Sequence, residues 1–253
     1  MSDATWLGLE GRRVIVAGGA GTLGRAIVSG FVEANASVAV IDQPRALEQA
    51  AEQAAALPGA VVGEDLRSAP ACRAAVAQAC ELLGGADVFV HAVGINLRLP
   101  IEDYTDRDWD EILTTNLSSA FWLTQALVPR FRAQRDGRLI YLSSVAGRSG
   151  HRNHGPYAAT KAGIDQLMRV TAHELAGDGV TANAIAPGYM DTALTEAYLA
   201  DHLDARERLL SLIPAGRFGV TGEVVSPTLF LASPRASFIT GQVLYVDGGR
   251  TIV

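Results

Sequence analysis

Hydrophobic residues along this 253-residue chain fall into short β-branched runs, separated by longer segments in which they recur at helical spacing. The runs Arg12–Ala17, Ser37–Ile41, Ala60–Gly63, Asp87–His91, Arg138–Ser143, Gly179–Ile185 and Val243–Val246 predict strands. They are apolar at successive positions, as expected of strands covered on both faces of a parallel sheet. Windows near 22–34, 44–57, 69–83, 106–134, 156–176 and 221–232 predict helices. In the 106–134 window Trp109, Ile112, Leu113, Leu117, Phe121 and Phe131 share the helical period, with Asp106 as the expected N-cap. Strand–helix alternation of this kind means right-handed βαβ units, hence an α/β fold with a doubly wound sheet and helices on both faces. No linker rich in Pro, Gly or Ser divides residues 1–253 and no repeat recurs, so one domain is expected. The stretch 188–219 breaks the rhythm. It is long, partly polar and follows a strand, where open α/β sheets bind ligands, so it is expected to be a substrate loop or lid.

Composition narrows the function classes. Apolar residues make up 49% of the chain and charged ones 19%, which suits a sizeable core and excludes a disordered chain. A net charge of -6 leaves no basic footprint for nucleic acid. Cys72 and Cys80 are the only cysteines, both in an alanine-rich helical stretch, so neither a disulfide framework nor a metal site is expected. No apolar leader opens the chain and no apolar run approaches spanning length, which predicts a soluble, cytoplasmic protein without a membrane partner.

The first predicted strand runs into Gly18-Gly19-Ala20-Gly21-Thr22-Leu23-Gly24 and then a helix. Gly19, Gly21 and Gly24 fit G-x-G-x-x-G in the strand–turn–helix context that gives the motif meaning. Such a turn lets backbone approach a pyrophosphate, and the helix N-terminus adds N–H donors. Asp42, 18 residues beyond Gly24, closes the second strand. A carboxylate there accepts from the adenosine-ribose hydroxyls and repels a 2′-phosphate, which predicts NAD in preference to NADP. A capping role for Asp42 on the following helix is compatible with that. Asp65 and Leu66 end the third strand, placed to flank an adenine or to form an ordinary turn.

Lys161 is the only lysine among 21 Lys and Arg residues, and Tyr157 lies four positions before it. On a helix the two share a face. A cation there would favour the phenolate and make a proton acceptor usable near neutral pH.

Together, the glycine turn, Asp42, Asn116, Ser143-Ser144, Tyr157-x-x-x-Lys161, the Asn183-to-Gly188 run and the tail GQVLYVDGG resemble the short-chain dehydrogenase/reductase family over nearly the whole chain. The resemblance implies a single-domain Rossmann fold with a seven-stranded parallel sheet. It also implies a nicotinamide cofactor and a homotetramer packed through the 106–134 and 156–176 helices. By position it makes Tyr157 the acid/base, with Lys161 lowering its pKa and holding the nicotinamide ribose. Ser144 would bond the substrate oxygen, and Asn116 would link Lys161 to solvent. Gly18, Gly21, Thr22, Leu23, Gly24, Asp42, Asp65, Leu66, Ala92, Gly94, Pro187, Gly188 and Thr192 complete the implied cofactor site. Three positions depart from the family pattern. Ala17 stands where Thr is usual, and the middle glycine falls on Thr22. His91-Ala92-Val93-Gly94 replaces Asn-Asn-Ala-Gly, with His91 expected to take over a hydrogen bond within the sheet. The implied activity is hydride transfer between a secondary alcohol and NAD. Asn96, Arg98, His151, Arg152, His154 and Tyr189 are candidates to grip a polar small molecule, as in sugar-acid and polyol members such as gluconate 5-dehydrogenase. The alternatives are a 3-oxoacyl-thioester reductase of the same family, or a dinucleotide-binding sensor or scaffold without turnover.

Overall fold

The computed structural model describes residues 6–53, 58–192 and 205–253. Strands β1 (Arg13–Ala17), β2 (Ser37–Asp42), β3 (Ala60–Gly63), β4 (Val88–His91), β5 (Gly137–Leu142), β6 (Val180–Pro187) and β7 (Val243–Val246) form one sheet. Its order is β3-β2-β1-β4-β5-β6-β7 and every pairing is parallel. The chain leaves the sheet centre in opposite directions from β1 and β4, so their C-terminal ends open a crevice between them. There Ala17 pairs with His91, and Gly18 and Ala92 are the next residues out.

The alternation of side chains along a strand splits the core in two. Ile15, Ala17, Ile41, Phe89, Leu139, Tyr141 and Ala184 point to one face. They pack there on α3 (Ala69–Leu83), α5 (Ser119–Gln134) and α6 (Gly155–Leu175) through Cys72, Leu123, Leu127, Phe131, Ile164 and Met168. Val14, Val16, Val40, Val90, Ile140 and Ile185 point the other way, onto α1 (Thr22–Glu33) and α8 (Thr221–Ala232) through Ile27, Phe31, Val224 and Leu231. Between these, α2 (Pro44–Gln53) follows β2, α4 (Asp106–Leu113) precedes α5, and the short α7 (Ala205–Leu210) precedes α8.

Helix ends follow side-chain chemistry. Ser68 caps α3 by accepting from Ala71 N, and Gly84, at φ 69°, closes it in the left-handed region. For α4 the cap is Thr105, not the expected Asp106. Thr105 Oγ1 accepts from Asp108 N, and the Asp108 carboxylate accepts in return from Thr105 N. The 106–134 window is also not one regular helix. A π-turn, Thr114–Ser118, joins α4 to α5. Of the 188–219 stretch, residues 193–204 lie outside the described residues. The rest holds α7 and a bridge between Met190 and Gly219. No helix among the described residues is long and apolar enough to cross a membrane.

Candidate active site

The glycine turn between β1 and α1 is built for close approach. Gly18 has φ +80°, and a side chain there would run into the Ala92 backbone at 2.6 Å. A Cβ on Gly24 would lie 2.0 Å from Gly18 O. Gly21, by contrast, is the extended N-cap of α1, and a Cβ there would sit 3.5 Å from Gly18 O, an ordinary contact. The tight positions are therefore 18, 19 and 24, a Cβ on Gly19 meeting Val40 Cγ1 at 2.7 Å. No side chain caps the first turn of α1 and no acidic residue lies in it. Its N–H groups face the crevice, so the turn suits a pyrophosphate. Asp42 is tied into this turn: Oδ2 accepts from Ala20 N at 2.9 Å and Oδ1 from Gln43 N at 2.8 Å. Burial raises its pKa, against the pull of those two backbone donors.

The crevice has a volume of about 320 Å³. Of the expected cofactor residues, Gly21, Thr22, Leu23, Gly24, Ala92, Gly94, Tyr157, Lys161, Pro187, Gly188 and Thr192 line it. Gly18, Asp42, Asp65 and Leu66 do not; Gly18 and Asp42 form the turn beside it. The Asp65 carboxylate is forked onto Arg67 in a neighbouring open cleft, and Leu66 is packed in the core.

Asn116, Ser144, Tyr157 and Lys161 arrive from three elements and meet at one place. Asn116 comes from the π-turn, where one extra residue widens the helix. Its amide is fully buried: Oδ1 accepts from Ile95 N (2.8 Å), while Nδ2 donates to Ile95 O (3.0 Å) and Thr160 Oγ1 (3.1 Å). Lys161, on α6, is 4% exposed and its Nζ donates to Leu142 O at 2.7 Å. A Cβ on Gly94 would stand 3.3 Å from Lys161 Nζ and 3.7 Å from Asn116 Oδ1, so Gly94 leaves the space in which the two face each other. Burial pushes the ammonium down to about 8, partly countered by Asp165 one turn along the helix.

The Tyr157 ring centre lies 5.6 Å from Lys161 Nζ. Burial holds this phenol above its ordinary pKa, while the nearby Ser144 hydroxyl and the Arg98 charge pull it back. The expectation that Lys161 makes the phenol acidic is therefore not met in this arrangement. The ammonium is spent on the Leu142 carbonyl and is itself disfavoured by burial. Ser144 Oγ also accepts from Ala146 N (3.1 Å), whereas Ser143 is buried and turned toward Lys161 O.

His91 does not bond within the sheet as expected. Its Nε2 lies 2.9 Å from Ser119 Oγ on α5. Burial and then the nearby Lys161 charge push it down to about 3, so the ring is neutral.

Above the tyrosine, Asn96, Arg98, His151, His154 and Tyr189 line the crevice. Their aromatic rings form a chain: His154 stands 6.2 Å from Tyr157 and 5.9 Å from His151, which is 6.2 Å from Tyr189. His154 Nδ1 donates to Arg152 O at 2.7 Å, and Tyr189 Oη lies 3.4 Å from His151 Nδ1. Arg152 is exposed and outside the crevice; only its carbonyl serves the site. Ile95, Val145, Ala146 and Met190 also line it, and residue chemistry alone did not single them out. Their signal was position, each lying just beyond a strand end. Among the described residues no group of three or more His, Cys, Asp or Glu could hold a metal ion.

A doubly wound sheet with a glycine-cradled helix N-terminus and a Tyr–Lys–Ser–Asn cluster across the crevice defines a nucleotide-dependent oxidoreductase. A family model described as Enoyl-(Acyl carrier protein) reductase matches residues 18–251. The chain belongs to the short-chain dehydrogenase/reductase family. It is 36% identical over 247 residues to 3-oxoacyl-(acyl-carrier-protein) reductase FabG of Thermotoga maritima, a match covering 96% of this chain and 99% of that one. Among solved structures it is similar to a putative gluconate dehydrogenase from Agrobacterium tumefaciens (TM-score 0.89, 30% identity, 97% of this chain and 98% of that one). It is also similar to a putative 2-deoxy-D-gluconate 3-dehydrogenase from the same organism with bound NADP (TM-score 0.85, 30% identity, 97% and 98%).

Proposed function

We propose that this enzyme interconverts a secondary alcohol and a ketone on a polar, carboxylated or polyhydroxylated small molecule such as a sugar acid or polyol. The reading rests on Tyr157 and Ser144 lining one crevice together with Arg98, His151, His154 and Tyr189. A guanidinium and several neutral hydrogen-bonding rings suit a carboxylate or hydroxyls better than an acyl chain.

A nicotinamide dinucleotide, when bound, supplies the hydride acceptor or donor. The α1 N-terminus with Gly18, Gly21, Thr22, Leu23 and Gly24 would hold its pyrophosphate, and Asp42 its adenosine ribose. Lys161 and Tyr157 would hold the second ribose, with Ala92, Gly94, Pro187, Gly188 and Thr192 around the ring. In oxidation Tyr157, as phenolate, takes the hydroxyl proton while the carbinol hydrogen leaves as hydride. Ser144 donates to the forming carbonyl oxygen. Lys161 lies behind the phenol, and Asn116 would hold a water linking Lys161 to solvent, through which the proton leaves. In reduction each transfer runs backwards, with Tyr157 donating.

We further assign NAD as the preferred cofactor, because Asp42 puts a carboxylate where a 2′-phosphate would fall. Asp42→Asn is expected to raise kcat/KM with NADP at least about tenfold relative to NAD. Equal wild-type kcat/KM for the two cofactors overturns the assignment.

A second reading, 3-oxoacyl-thioester reduction, is favoured by the identity to the Thermotoga enzyme. Absorbance at the reduced-nicotinamide band, with sugar acids, polyols and 3-hydroxyacyl thioesters as substrates, separates the two. Turnover of thioesters alone rejects the sugar-acid reading, and turnover of nothing in the panel rejects both. A homotetramer packed through 106–134 and 156–176 is supported by Phe121 and Val170, exposed on those helices. Light scattering tests it.

A further inference from the structure

His91 is fully buried at the end of β4, between the rings of Phe89 and Tyr141, each 6.4 Å away. An aromatic hydrocarbon would fill that space without burying a lone pair. His91 Nδ1 has no hydrogen-bond partner, and a buried orphan of this kind is destabilising. The other end of the ring offsets that cost. Ser119 Oγ donates its one hydrogen to Thr115 O at 2.5 Å, so His91 Nε2–H is the donor to Ser119 Oγ at 2.9 Å.

The carbonyl at the end of this chain is a particular one. In an α-helix Thr115 O would accept from Ser119 N. Here Ser119 N bonds to Thr114 O, five residues back, because the π-turn has inserted a residue. The Ser119 hydroxyl takes over the released Thr115 carbonyl, and His91 fixes that hydroxyl. The next residue is Asn116, whose amide clasps both backbone groups of Ile95.

We propose that His91 is a positioning residue: through Ser119 it locks the π-turn at Thr115, and so sets the amide of Asn116 against Ile95 and the Lys161 side of the crevice. The catalytic part of this inference rests on the function proposed above; the positioning part does not. His91 acts as a neutral donor to the Ser119 hydroxyl on the neighbouring helix, never as a proton carrier.

The test uses the full-length protein with NAD and two perturbations, His91→Phe and Ser119→Ala, with His91→Gln as the conservative variant that keeps an N–H donor. Hydrogen exchange is followed by mass spectrometry in the peptide spanning 92–99, which contains the Ile95 amide, and in a control peptide across 137–142. Exchange in 92–99 is expected to speed up at least about tenfold in His91→Phe and in Ser119→Ala while 137–142 keeps its wild-type rate. His91→Gln is expected to restore most of the protection. Unchanged exchange at 92–99 in both perturbed variants overturns the proposal, as does equal acceleration in both peptides of the folded Ser119→Ala protein, which would mean general loosening. Turnover is read separately: kcat falls about tenfold or more while KM for NAD holds within about twofold. Accelerated exchange with unaltered kcat leaves His91 as the positioner and removes Asn116 from the reaction.

Discussion

On the proposed mechanism Tyr157 is the residue on which turnover depends most directly. Tyr157→Phe removes the proposed acid/base and is expected to cut kcat by about 10²- to 10⁴-fold with cofactor affinity retained, checked by quenching of protein fluorescence. Ser144→Ala is expected to cost about 10²-fold, as the loss of one oxyanion donor does elsewhere. Because burial raises the phenol, the reactive phenolate grows with pH. Alcohol oxidation should therefore accelerate steadily above pH 7, and ketone reduction, which needs the neutral phenol, should not. A pH-independent oxidation rate contradicts Tyr157 as the base. The glycine turn gives a sharper contrast. Gly24→Ala puts a carbon 2.0 Å from a carbonyl oxygen, whereas Gly21→Ala makes an ordinary contact. The first should abolish nucleotide binding by calorimetry and the second should keep it, although both glycines fit the same sequence motif.

At the scale of elements, Asp87 joins the start of β4 to β1. It accepts from Arg13 N and Nε at 2.9 Å each and from Arg13 Nη2. Burial pushes this carboxyl up, but the Arg13 bonds together hold it below its ordinary value near 3.8. A depressed carboxyl contributes stability that is present above the unfolded value and lost as pH falls through the folded one. Asp87→Asn should therefore cost about 2 kcal/mol in urea unfolding at pH 6, discounted for the partly exposed arginine, and the gap should close below pH 3.8. Strand ends were readable to within one or two residues because β-branched runs stop at Gly, Ser or Asp. The α4 cap was misjudged by one position. Thr105 with Asp108 is the hydroxyl–carboxylate spacing of a capping box, which outweighs an acidic residue adjacent to the helix. The π-turn was invisible, since one added residue barely disturbs the apolar spacing from Trp109 to Phe131. For Asp65 strand-end position alone does not say which way a carboxylate turns, and here it turns onto Arg67 two residues on. The proposed catalytic cluster rests on two signals: Lys161 is chemically odd as the lone lysine, while Ser144 and Asn116 are named through the family resemblance.

For the whole molecule, the active site is a stability liability. Burial depresses Lys161 from 10.5 to about 8, so between those values the unfolded chain binds more protons than the folded one, and stability rises with pH. Below pH 8 the buried ammonium costs its full amount, roughly 3 kcal/mol on this shift. Lys161→Met should be inactive yet more stable than wild type at pH 7, by up to about that much, with the difference shrinking by pH 10. Thermal unfolding across pH 7–10 checks it. Above pH 10 the trend reverses, because buried phenols such as Tyr141, raised to about 12, then favour the unfolded chain as they ionise.

The extra residue between Thr114 and Ser118 also sets a rule for length. Each helical residue turns the chain by about 100°, so deleting one here would let the helix close regularly and rotate α4 by that angle relative to α5. Ile112, now buried, would swing off its packing partners, and the Asn116 amide would leave Ile95 and Thr160. A library that randomises the letters of this stretch around Asn116 should still yield working clones. One that keeps every letter but is a codon short should yield none.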